Sequence, residues 1–527
     1  MIHNSLRKRG LYLGVLAETA AASQTAPLLT LDHDLDILPG QCRHLTMAEL
    51  AGHVDDLAGR LAATGIRAGE RVVVYKKANF DVWVLACAAA RIGAVPAMLS
   101  PALDAATVAA LLDRLDQPHL LSDGHKLDLL ADVALAGLTR QVITTNGPRP
   151  GAVSLTGLAG SPRVSPVFPG LDEPAMITHT SGTTGLPKLV VHTPRTMRAR
   201  LRPQLFLLAL MNRRETVAIH IPFVHSRLYA AMALCLQKGL PVLLMNESDP
   251  EAIARFLARN QPGLIEALPN SFLAWEELAD DSQRPFASVK YFSCTFDAIH
   301  PRTIRRLLGA SRRRAPLFFQ IYGQSEVGPA VGRPYFRGSL RRMDGRCVGF
   351  PLPGSARVRV VSPDGRRVSE DNPGSIEVRW DGIAKDYFGD RERYEANRDG
   401  LWWRTGDVGY RSRFGCLHLL DREIDTIPGV GSNLEIEDLV LNRLDELQEL
   451  VVISGPDSEP VPVVCTTGDV PLDPERWHAA VAEFPRLREP VQIPLAELPR
   501  TATLKTRRLE LSRLLRERVR VEHPGSS

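Results

Sequence analysis

The sequence has few cysteines and no long apolar run. Its seven cysteines in 527 residues are far apart, odd in number and never arranged as CxxC. This distribution argues against a disulfide framework and a structural zinc site, and it favours a reducing cytoplasm. No run of about 18 apolar residues is present, so we expect no segment that crosses a membrane.

The sequence also lacks a strong charge of either sign. Lys and Arg number 64 against 60 Asp and Glu, which leaves a net charge of +4. This balance provides little attraction for nucleic acid or an anionic membrane, whereas small anionic substrates are compatible with it. An apolar fraction of 44% and a charged fraction of 24% are typical of a folded globular chain. The length indicates roughly two to four domains or subdomains.

Helical patterns alternate with short apolar runs in the first part of the chain. Residues 48–64, 81–92 and 105–115 have helical periodicity, and residues 72–75 and 95–99 are apolar runs of strand length. This alternation predicts βαβ units around a largely parallel sheet.

The same alternation recurs between residues 217 and 295, and a different pattern follows residue 349. There, short apolar runs are separated by turn signals such as Pro-Asp-Gly and Asn-Pro-Gly, which favour antiparallel strands. After residue 421 the pattern is mixed, over a length that suits a small terminal domain. We predict the α/β fold class.

A loop rich in glycine and hydroxyl groups is the most informative stretch. It reads Thr180, Ser181, Gly182, Thr183, Thr184, Gly185, Leu186, Pro187 and Lys188. Its two glycines permit unusual backbone angles, its four hydroxyls and its N–H groups can surround phosphate oxygens, and Lys188 adds a positive charge. The Walker A spacing is absent, and composition alone would favour a plain solvated turn.

The order of these residues resembles the phosphate-binding signature of the adenylate-forming superfamily. This superfamily includes acyl-CoA synthetases, adenylation domains of peptide synthetases and luciferases. Its signature ends in Lys-Gly, whereas Leu189 follows Lys188 here. The resemblance implies that the loop binds ATP together with Mg²⁺, and that Thr180 and Lys188 also act in catalysis.

Segment 320–326, with the sequence QIYGQSE, resembles the YGxTE motif of the same superfamily. Ser325 replaces the usual threonine and keeps its hydroxyl. The resemblance implies that Glu326 holds Mg²⁺, a cation that prefers oxygen ligands, and that Tyr322 stacks on adenine. It also implies that Gly323 and Ser325 contact the nucleotide. An isolated Tyr-Gly pair would indicate only a turn at a strand end.

Two further segments resemble parts of the ribose site. Residues 401–407, LWWRTGD, resemble W-x-x-TGD, whose aspartate accepts hydrogen bonds from both ribose hydroxyls, and Asp407 takes that position. Residues 421–425, DREID, resemble the GRxDD crossover between the large and small domains, with Arg422 reaching the ribose and Ile424 replacing the usual Asp or Lys. Taken alone, either segment is compatible with a surface turn or an ordinary ion pair.

Residues 499–505, PRTATLK, resemble the PRTxxGK motif near the end of the superfamily's chains. Its mobile lysine, here Lys505, contacts the acid and the α-phosphate during adenylation. The alternative is a solvated basic helix, because six arginines follow between residues 507 and 520. Five segments in family order span roughly residues 45 to 510, and chance matches on that scale are implausible.

The resemblance implies a particular division of the chain. We expect a large N-terminal domain over residues 1–420, with α/β subdomains and a β-rich subdomain. Residues 421–425 would form a hinge, and residues 426–527 a small mobile α+β domain.

Residues 291–298, YFSCTFDA, depart from the superfamily. Many relatives have Ser-Gly-Gly-Ala-Pro-Leu at this place, so Cys294, Thr295 and Phe296 add side-chain volume beside the expected acid. Added volume is not freely absorbed in a packed protein, which favours a small substrate as a hypothesis. The alternative is that these side chains point into the core. By position, Thr295 and Phe296 would also contact the nucleotide.

His225 lies in a PxxH segment that resembles the one whose ring flanks the acid pocket and contributes to catalysis. The alternative is a core histidine whose hydrogen bonds are satisfied within the protein. Residues 428–433, PGVGSN, only partly resemble the glycine-rich segment that lines the pantetheine tunnel of CoA ligases.

Three functions follow from these resemblances. The leading hypothesis is an AMP-forming acid–thiol ligase that adenylates a small acid and transfers it to CoA or to a carrier-protein thiol. The rival is an ATP-dependent diazotase of bacterial natural-product pathways, which activates nitrite as nitrosyl-AMP for attack by an arylamine. A filled acid pocket and a weak CoA segment suit this rival. A non-enzymatic nucleotide-binding relative is disfavoured, because the expected metal, ribose and transfer residues are all present.

Overall fold

The computed structural model describes residues 10–38, 40, 42–180, 186–209, 211, 214–295, 299–342, 344–455, 458–484, 486–500 and 506–522. Its strands are β1 (Leu28–Leu31), β2 (His44–Thr46), β3 (Arg71–Tyr75), β4 (Val95–Met98), β5 (His119–Ser122), β6 (Gln141–Thr144), β7 (Val153–Ser154), β8 (Met176–His179), β9 (Leu189–His192), β10 (Val217–His220), β11 (Val242–Leu244), β12 (Leu264–Ala267), β13 (Tyr291–Thr295), β14 (Leu317–Gln324), β15 (Gly328–Phe336), β16 (Cys347–Pro351), β17 (Arg357–Val361), β18 (Gly374–Arg379), β19 (Asp386–Tyr387), β20 (Arg398–Asp399), β21 (Trp402–Arg411), β22 (Leu417–Arg422), β23 (Leu447–Ser454), β24 (Pro460–Thr466) and β25 (Val491–Gln492).

Its α-helices are α1 (Leu16–Ala21), α2 (Met47–Ala63), α3 (Asp81–Arg91), α4 (Ala105–Arg114), α5 (Gly124–Leu129), α6 (Leu135–Leu138), α7 (Pro194–Ala209), α8 (Ser226–Lys238), α9 (Pro250–Asn260), α10 (Pro269–Ala274), α11 (Pro301–Ala310), α12 (Arg391–Ala396), α13 (Asn433–Arg443), α14 (Pro474–Val481) and α15 (Arg508–Glu522). None of these described helices has the length and apolar character needed to cross a membrane. Helices and strands alternate as the sequence predicts, which confirms the α/β class.

Two large sheets organise the described chain before residue 423. One has eight strands in the order β19-β9-β8-β4-β3-β5-β6-β7. The other has 14 strands along the path β17-β18-β21-β22-β16-β15-β14-β13-β12-β10-β11-β1-β2, with β20 beside β21. Strands β3 to β6 pair in parallel, as do β10 to β14. Parallel neighbours require crossover connections, which the intervening helices provide.

The parallel strands are buried on both faces. In β3, Val72 and Val74 belong to a core that both sheets share, whereas Val73 and Tyr75 belong to the core on the other face. Helix α3 joins the shared core, and every one of its residues is buried. Strands covered on both faces are apolar at every position, which explains the continuous apolar runs of the sequence.

The chain beyond β22 forms a smaller α+β unit. Strands β23, β24 and β25 form a separate sheet, with Val452 and Trp477 in a core on one face and Ile453 and Leu511 in a core on the other. This unit contacts the large part of the chain, for example where a nitrogen of His300 lies 3.1 Å from Asp438. The domain boundaries proposed from the sequence, and the mobility of the small domain, stay predictions.

One pair of cysteines differs from the sequence-based expectation. Cys347 and Cys416 form a disulfide with a Cα–Cα distance of 6.6 Å and a sequence separation of 69 residues. The expectation of no disulfide is therefore wrong for this pair. Strands β16 and β22 are antiparallel neighbours with Cys347 opposite His418, and this long-range pairing brings the two cysteines and the histidine together.

Candidate active site

The predicted phosphate loop begins and ends on a hairpin. Strands β8 and β9 are antiparallel, with His179 opposite Leu189. Across the neck of the loop the Thr180 N–H donates to the Lys188 carbonyl at 3.0 Å, and the Lys188 N–H donates to Thr180 Oγ1 at 3.2 Å. The hairpin thus holds Thr180 and Lys188 together. The loop residues between them, Ser181, Gly182, Thr183, Thr184 and Gly185, lie outside the described residues.

Glu326 is a buried carboxylate that contacts both Lys188 and Tyr387. Lys188 Nζ lies 3.2 Å from Glu326 Oε1 and 3.0 Å from the Tyr387 hydroxyl, and this hydroxyl donates to the same Oε1 at 2.6 Å. Burial by itself would raise the pKa of Glu326, but the charge of Lys188 and the Tyr387 hydrogen bond outweigh burial and hold the pKa below its ordinary value. Glu326 is therefore ionised at neutral pH.

Arg200 is a buried cation that the sequence motifs do not reveal. It lies in α7, and 2% of it is exposed. Its guanidinium donates to the carbonyls of Ser325 and Glu326, both at 2.9 Å, and to the carbonyl of Gly382 at 2.8 Å. Burial lowers the pKa of Arg200 to about 10, so it stays charged at neutral pH. Arg200 therefore fixes the turn that presents Glu326.

A second carboxylate, Asp407, receives hydrogen bonds from the strand that carries Tyr322. The Tyr322 hydroxyl donates to Asp407 Oδ2 at 2.5 Å, and Gln324 Nε2 donates to the same oxygen at 2.9 Å. Burial and the Asp407 charge raise the pKa of Tyr322, so its hydroxyl stays a donor. Arg422 Nε lies 3.6 Å from Asp407 Oδ1, because the two residues are register partners in β21 and β22.

Gly323 is required by a close approach of the backbone. A Cβ at this position would lie 2.1 Å from the Gly328 carbonyl oxygen. The pairing of β14 with β15 also shifts register between Tyr322 and Gly323. The glycine therefore lets the hairpin close around the turn that contains Ser325 and Glu326.

His225 caps the first turn of α8 at the edge of the same site. Its Nδ1 accepts from the Arg227 N–H at 3.1 Å, and its Nε2 lies 3.5 Å from the Ser325 hydroxyl oxygen. Because His225 lines the cleft, the structure places its ring at a ligand-accessible wall and not inside a core.

The hypothesis that residues 294–296 fill the acid pocket has a different outcome for each residue. Cys294 is fully buried and packs in a core with Phe292 and Phe318, so its side chain does not fill the cleft, and that part of the volume hypothesis is wrong. Alternate residues of a strand point to opposite faces, and Thr295 accordingly lines the cleft. Phe296 lies outside the described residues.

One cleft of about 570 Å³ brings the described candidates together. This volume is in the usual range for sites that bind small molecules and cofactors. The lining includes Thr180, Lys188, His225, Thr295, Tyr322, Gly323, Ser325, Glu326, Asp407 and Arg422. Thr506 of the terminal unit lines it as well, whereas its neighbour Lys505 lies outside the described residues.

We expect the change Arg200→Met to lower the free energy of unfolding by about 3–5 kcal/mol. The variant leaves the Ser325 and Gly382 carbonyls without this donor, whereas the Glu326 carbonyl keeps the Ala384 N–H at 2.7 Å. Each unpaired buried group costs about 1–3 kcal/mol. Urea denaturation followed by circular dichroism measures this difference. The matched control is Arg202→Met on the same helix, where a surface pair with Asp381 at 3.2 Å should contribute less than about 1 kcal/mol. Equal losses in the two variants would contradict the role of Arg200.

The sequence resembles two diazotases along most of its length. It is 45% identical to the 3-amino-2-hydroxy-4-methoxybenzoate diazotase of Streptomyces cremeus, over 98% of this chain and 97% of that protein. It is 26% identical to a 3-aminoavenalumate diazotase of a Streptomyces species, over 78% of this chain and 74% of that protein.

The fold resembles that of an aryl–CoA ligase. The structure of the anthranilate CoA ligase AuaEII in complex with anthranoyl-AMP superposes with a TM-score of 0.83 at 18% identity, over 97% of this chain and 98% of that one. At this identity the likeness concerns the fold alone. The family model described as "AMP-binding enzyme" matches residues 17–388, which is most of the chain. The resemblance seen in the sequence is thereby confirmed, and the chain belongs to the AMP-binding family of adenylate-forming enzymes.

Proposed function

We propose that the protein is an ATP-dependent diazotase that activates nitrite as nitrosyl-AMP and transfers the nitrosyl group to an arylamine. The observation that carries this proposal is the 45% identity to a diazotase over 98% of the chain. The CoA ligases among the relatives are less similar, so the thiol acceptor that led the sequence-based hypotheses has weaker support. A cytoplasmic location, with no nucleic acid or membrane as partner, belongs to the same proposal.

Both chemical steps are displacements that need no oxidant and no protein nucleophile. An oxygen of nitrite attacks the α-phosphorus of ATP, the bond from that phosphorus to the bridging oxygen breaks, and pyrophosphate leaves. The amine nitrogen then attacks the nitrosyl nitrogen, the bond from this nitrogen to the AMP oxygen breaks, and AMP leaves. Loss of water from the N-nitroso product gives the diazo group. The protein contributes positioning and electrostatic stabilisation.

The nucleotide would bind along the cleft, with its triphosphate near Lys188 and its ribose near Asp407 and Arg422. Thr180 and Lys188, at the neck of the phosphate loop, would face the triphosphate. Asp407 and Arg422 would hold the ribose, and Tyr322 would lie against adenine. Support for this arrangement comes from the single cleft that all five residues line.

Glu326 has the chemistry expected of a Mg²⁺ ligand. Within the described part of the chain, the side-chain hydrogen bonds to Glu326 both end on Oε1. Oε2 can therefore face a metal, and the lowered pKa keeps the group a carboxylate. When bound, Mg²⁺ would neutralise part of the triphosphate charge. Lys188 and Tyr387 orient the carboxylate.

We expect Tyr387→Phe to shift the acidic limb of the pH–rate profile to higher pH. The change removes a hydrogen bond that holds the pKa of Glu326 down, while the opposing effect of burial stays. Because the ionised form exists above the pKa, raising that pKa removes the metal ligand at a higher pH than in the wild type. The profile of ATP-dependent pyrophosphate release measures the shift.

Tyr394→Phe is the matched control for this variant. The Tyr394 ring packs edge-on against Tyr387, but its hydroxyl donates to the Ala384 carbonyl at 2.6 Å and not to Glu326. We expect a stability loss of about 1 kcal/mol and an unmoved pH profile. An unmoved profile in Tyr387→Phe as well would refute the proposed effect on Glu326.

We expect Lys505→Ala to lower the rate of adenylate formation about 100-fold to 1000-fold while the affinity for ATP stays near wild type. This lysine is proposed to stabilise charge that develops in the transition state, and removing one such donor has an effect of that size. Single-turnover pyrophosphate release and calorimetric ATP binding separate the two quantities. The control is Arg513→Ala, which removes an exposed positive charge from α15. It tests whether any loss of a positive charge in this basic region lowers the rate. A loss of ATP affinity equal to the loss of rate would contradict the assignment.

One substrate panel tests the proposed function. The enzyme is given ATP and Mg²⁺ at slightly alkaline pH, where nitrite alone does not diazotise amines, with either ¹⁵N-nitrite and an aminobenzoate or benzoate and CoA. We expect AMP formation that requires nitrite, with the label in the terminal nitrogen of the diazo product. Thioester formation without any nitrite-dependent turnover would overturn the proposal in favour of the acid–thiol ligase.

A further inference from the structure

Three residues that line the cleft have a buried polar atom with no hydrogen-bond partner among the described residues. These atoms are Nε1 of Trp403, Nη1 of Arg227 and Oγ1 of Thr295. Arg227 and Thr295 are buried, with exposed fractions of only 9% for the Arg227 side chain and 7% for Thr295. Buried polar atoms are nearly always hydrogen-bonded in folded proteins. The unpaired atoms of Arg227 and Thr295 in the wall of one cleft therefore indicate a ligand that completes them.

Arg227 is held from one side by a buried carboxylate. Its Nε donates to Oε1 of Glu266, and its Nη2 donates to Oε2 at 2.7 Å. Glu266, in β12, is itself buried. A guanidinium has five N–H donors and can bridge two carboxylates. The pair with Glu266 thus orients Arg227 and leaves Nη1 for a second acceptor.

The sheet register places Thr295 on the same face as Glu266. Glu266 lies opposite Ser293 in the parallel pair of β12 with β13, and side chains alternate between the faces of a strand. Thr295, two residues after Ser293, therefore points to the face of Glu266, whereas Cys294 points into the core behind. Thr295 ends its strand, at the edge where α/β sheets bind ligands.

Given the proposed diazotase function, on which this inference rests, we propose that Arg227 and Thr295 form the subsite for a ring carboxylate of the arylamine acceptor. The Nη1 group and the threonine hydroxyl are both donors, and a carboxylate offers two oxygens that accept charge-assisted hydrogen bonds. His225 lies two residues before Arg227 and contacts Ser325. The subsite thus adjoins the turn of Glu326, where the adenylate would form.

The test compares two amines that differ only in the carboxylate, 3-aminobenzoate and aniline. The measured quantity is the discrimination ratio, defined as kcat/KM for 3-aminobenzoate divided by kcat/KM for aniline, with nitrite and ATP saturating. We expect a ratio well above one in the wild type. Loss of a hydrogen bond to a charged group should lower the ratio about 10-fold to 100-fold in Arg227→Met and about 10-fold in Thr295→Val.

Thr295→Val guards against an effect of misfolding. The hydroxyl has no partner among the described residues, so its removal should leave the melting temperature unchanged. Arg227→Met, in contrast, removes both hydrogen bonds that Arg227 donates to the buried Glu266. Arg227→Lys keeps the charge and should retain part of the discrimination. The matched control is Arg313→Met, which breaks a similar two-point pair with Glu215 away from the cleft and should leave the ratio unchanged.

Two outcomes separate this inference from the proposed function. A wild-type ratio near one, or an unchanged ratio in both Thr295→Val and Arg227→Met, overturns the subsite even if nitrite is a substrate. If no nitrite-dependent turnover occurs, the proposed function fails, and calorimetric binding of the two amines to the ATP-bound enzyme decides the subsite. Tighter binding of 3-aminobenzoate that Thr295→Val weakens then supports it, and equal binding of the two amines refutes it.

Discussion

The buried guanidinium of Arg200 connects three parts of the chain that must keep their relative positions for the cleft to exist. It donates to the turn at Ser325 and Glu326 and to the carbonyl of Gly382, and its own helix packs beside α8. Backbone carbonyls in a turn cannot pair with one another, so a turn buried among helices needs a donor from outside. Arg200 supplies that donor to the Ser325 carbonyl and, together with the Ala384 N–H, to the Glu326 carbonyl, and these bonds hold the turn that carries the Glu326 carboxylate.

The same buried surroundings give the ionisable groups of the cleft different states. Burial raises the pKa of Glu326, but the charge of Lys188 and the hydrogen bond from Tyr387 lower it by more, so the carboxylate keeps its charge. Tyr387 and Tyr322, each beside a carboxylate, have their pKa values raised and act as permanent donors. The cleft thus combines the ionised Glu326 carboxylate with neutral tyrosine hydroxyl donors before any ligand binds. Such preorganisation is what electrostatic catalysis requires.

Local patterns allowed much of the fold and many of the residues that line the cleft to be predicted. The apolar run at residues 72–75 is a strand because both of its faces are covered, and that condition is visible in the sequence alone. Contacts between distant residues were not predictable. Tyr387 contacts Lys188 across a sequence separation of 199 residues, and Arg200 contacts Glu326 across 126 residues. Neither Tyr387 nor Arg200 lies in a sequence motif. The direction of Cys294 depended on the strand's register, which the motifs do not specify.

Two residues outside the motifs, Arg227 and Thr295, lie in a different part of the cleft from the residues proposed to bind ATP. The residues proposed to bind ATP lie in segments that resemble those of acyl-CoA synthetases, because every member of the superfamily must bind the same nucleotide. The subsite proposed for the acceptor lies in a different wall, formed by the first turn of α8 and the end of β13. Here Arg227 and Thr295 each have a donor without a hydrogen-bond partner among the described residues. A change of acceptor can therefore arise in this wall while the phosphate, metal and ribose contacts stay as they are.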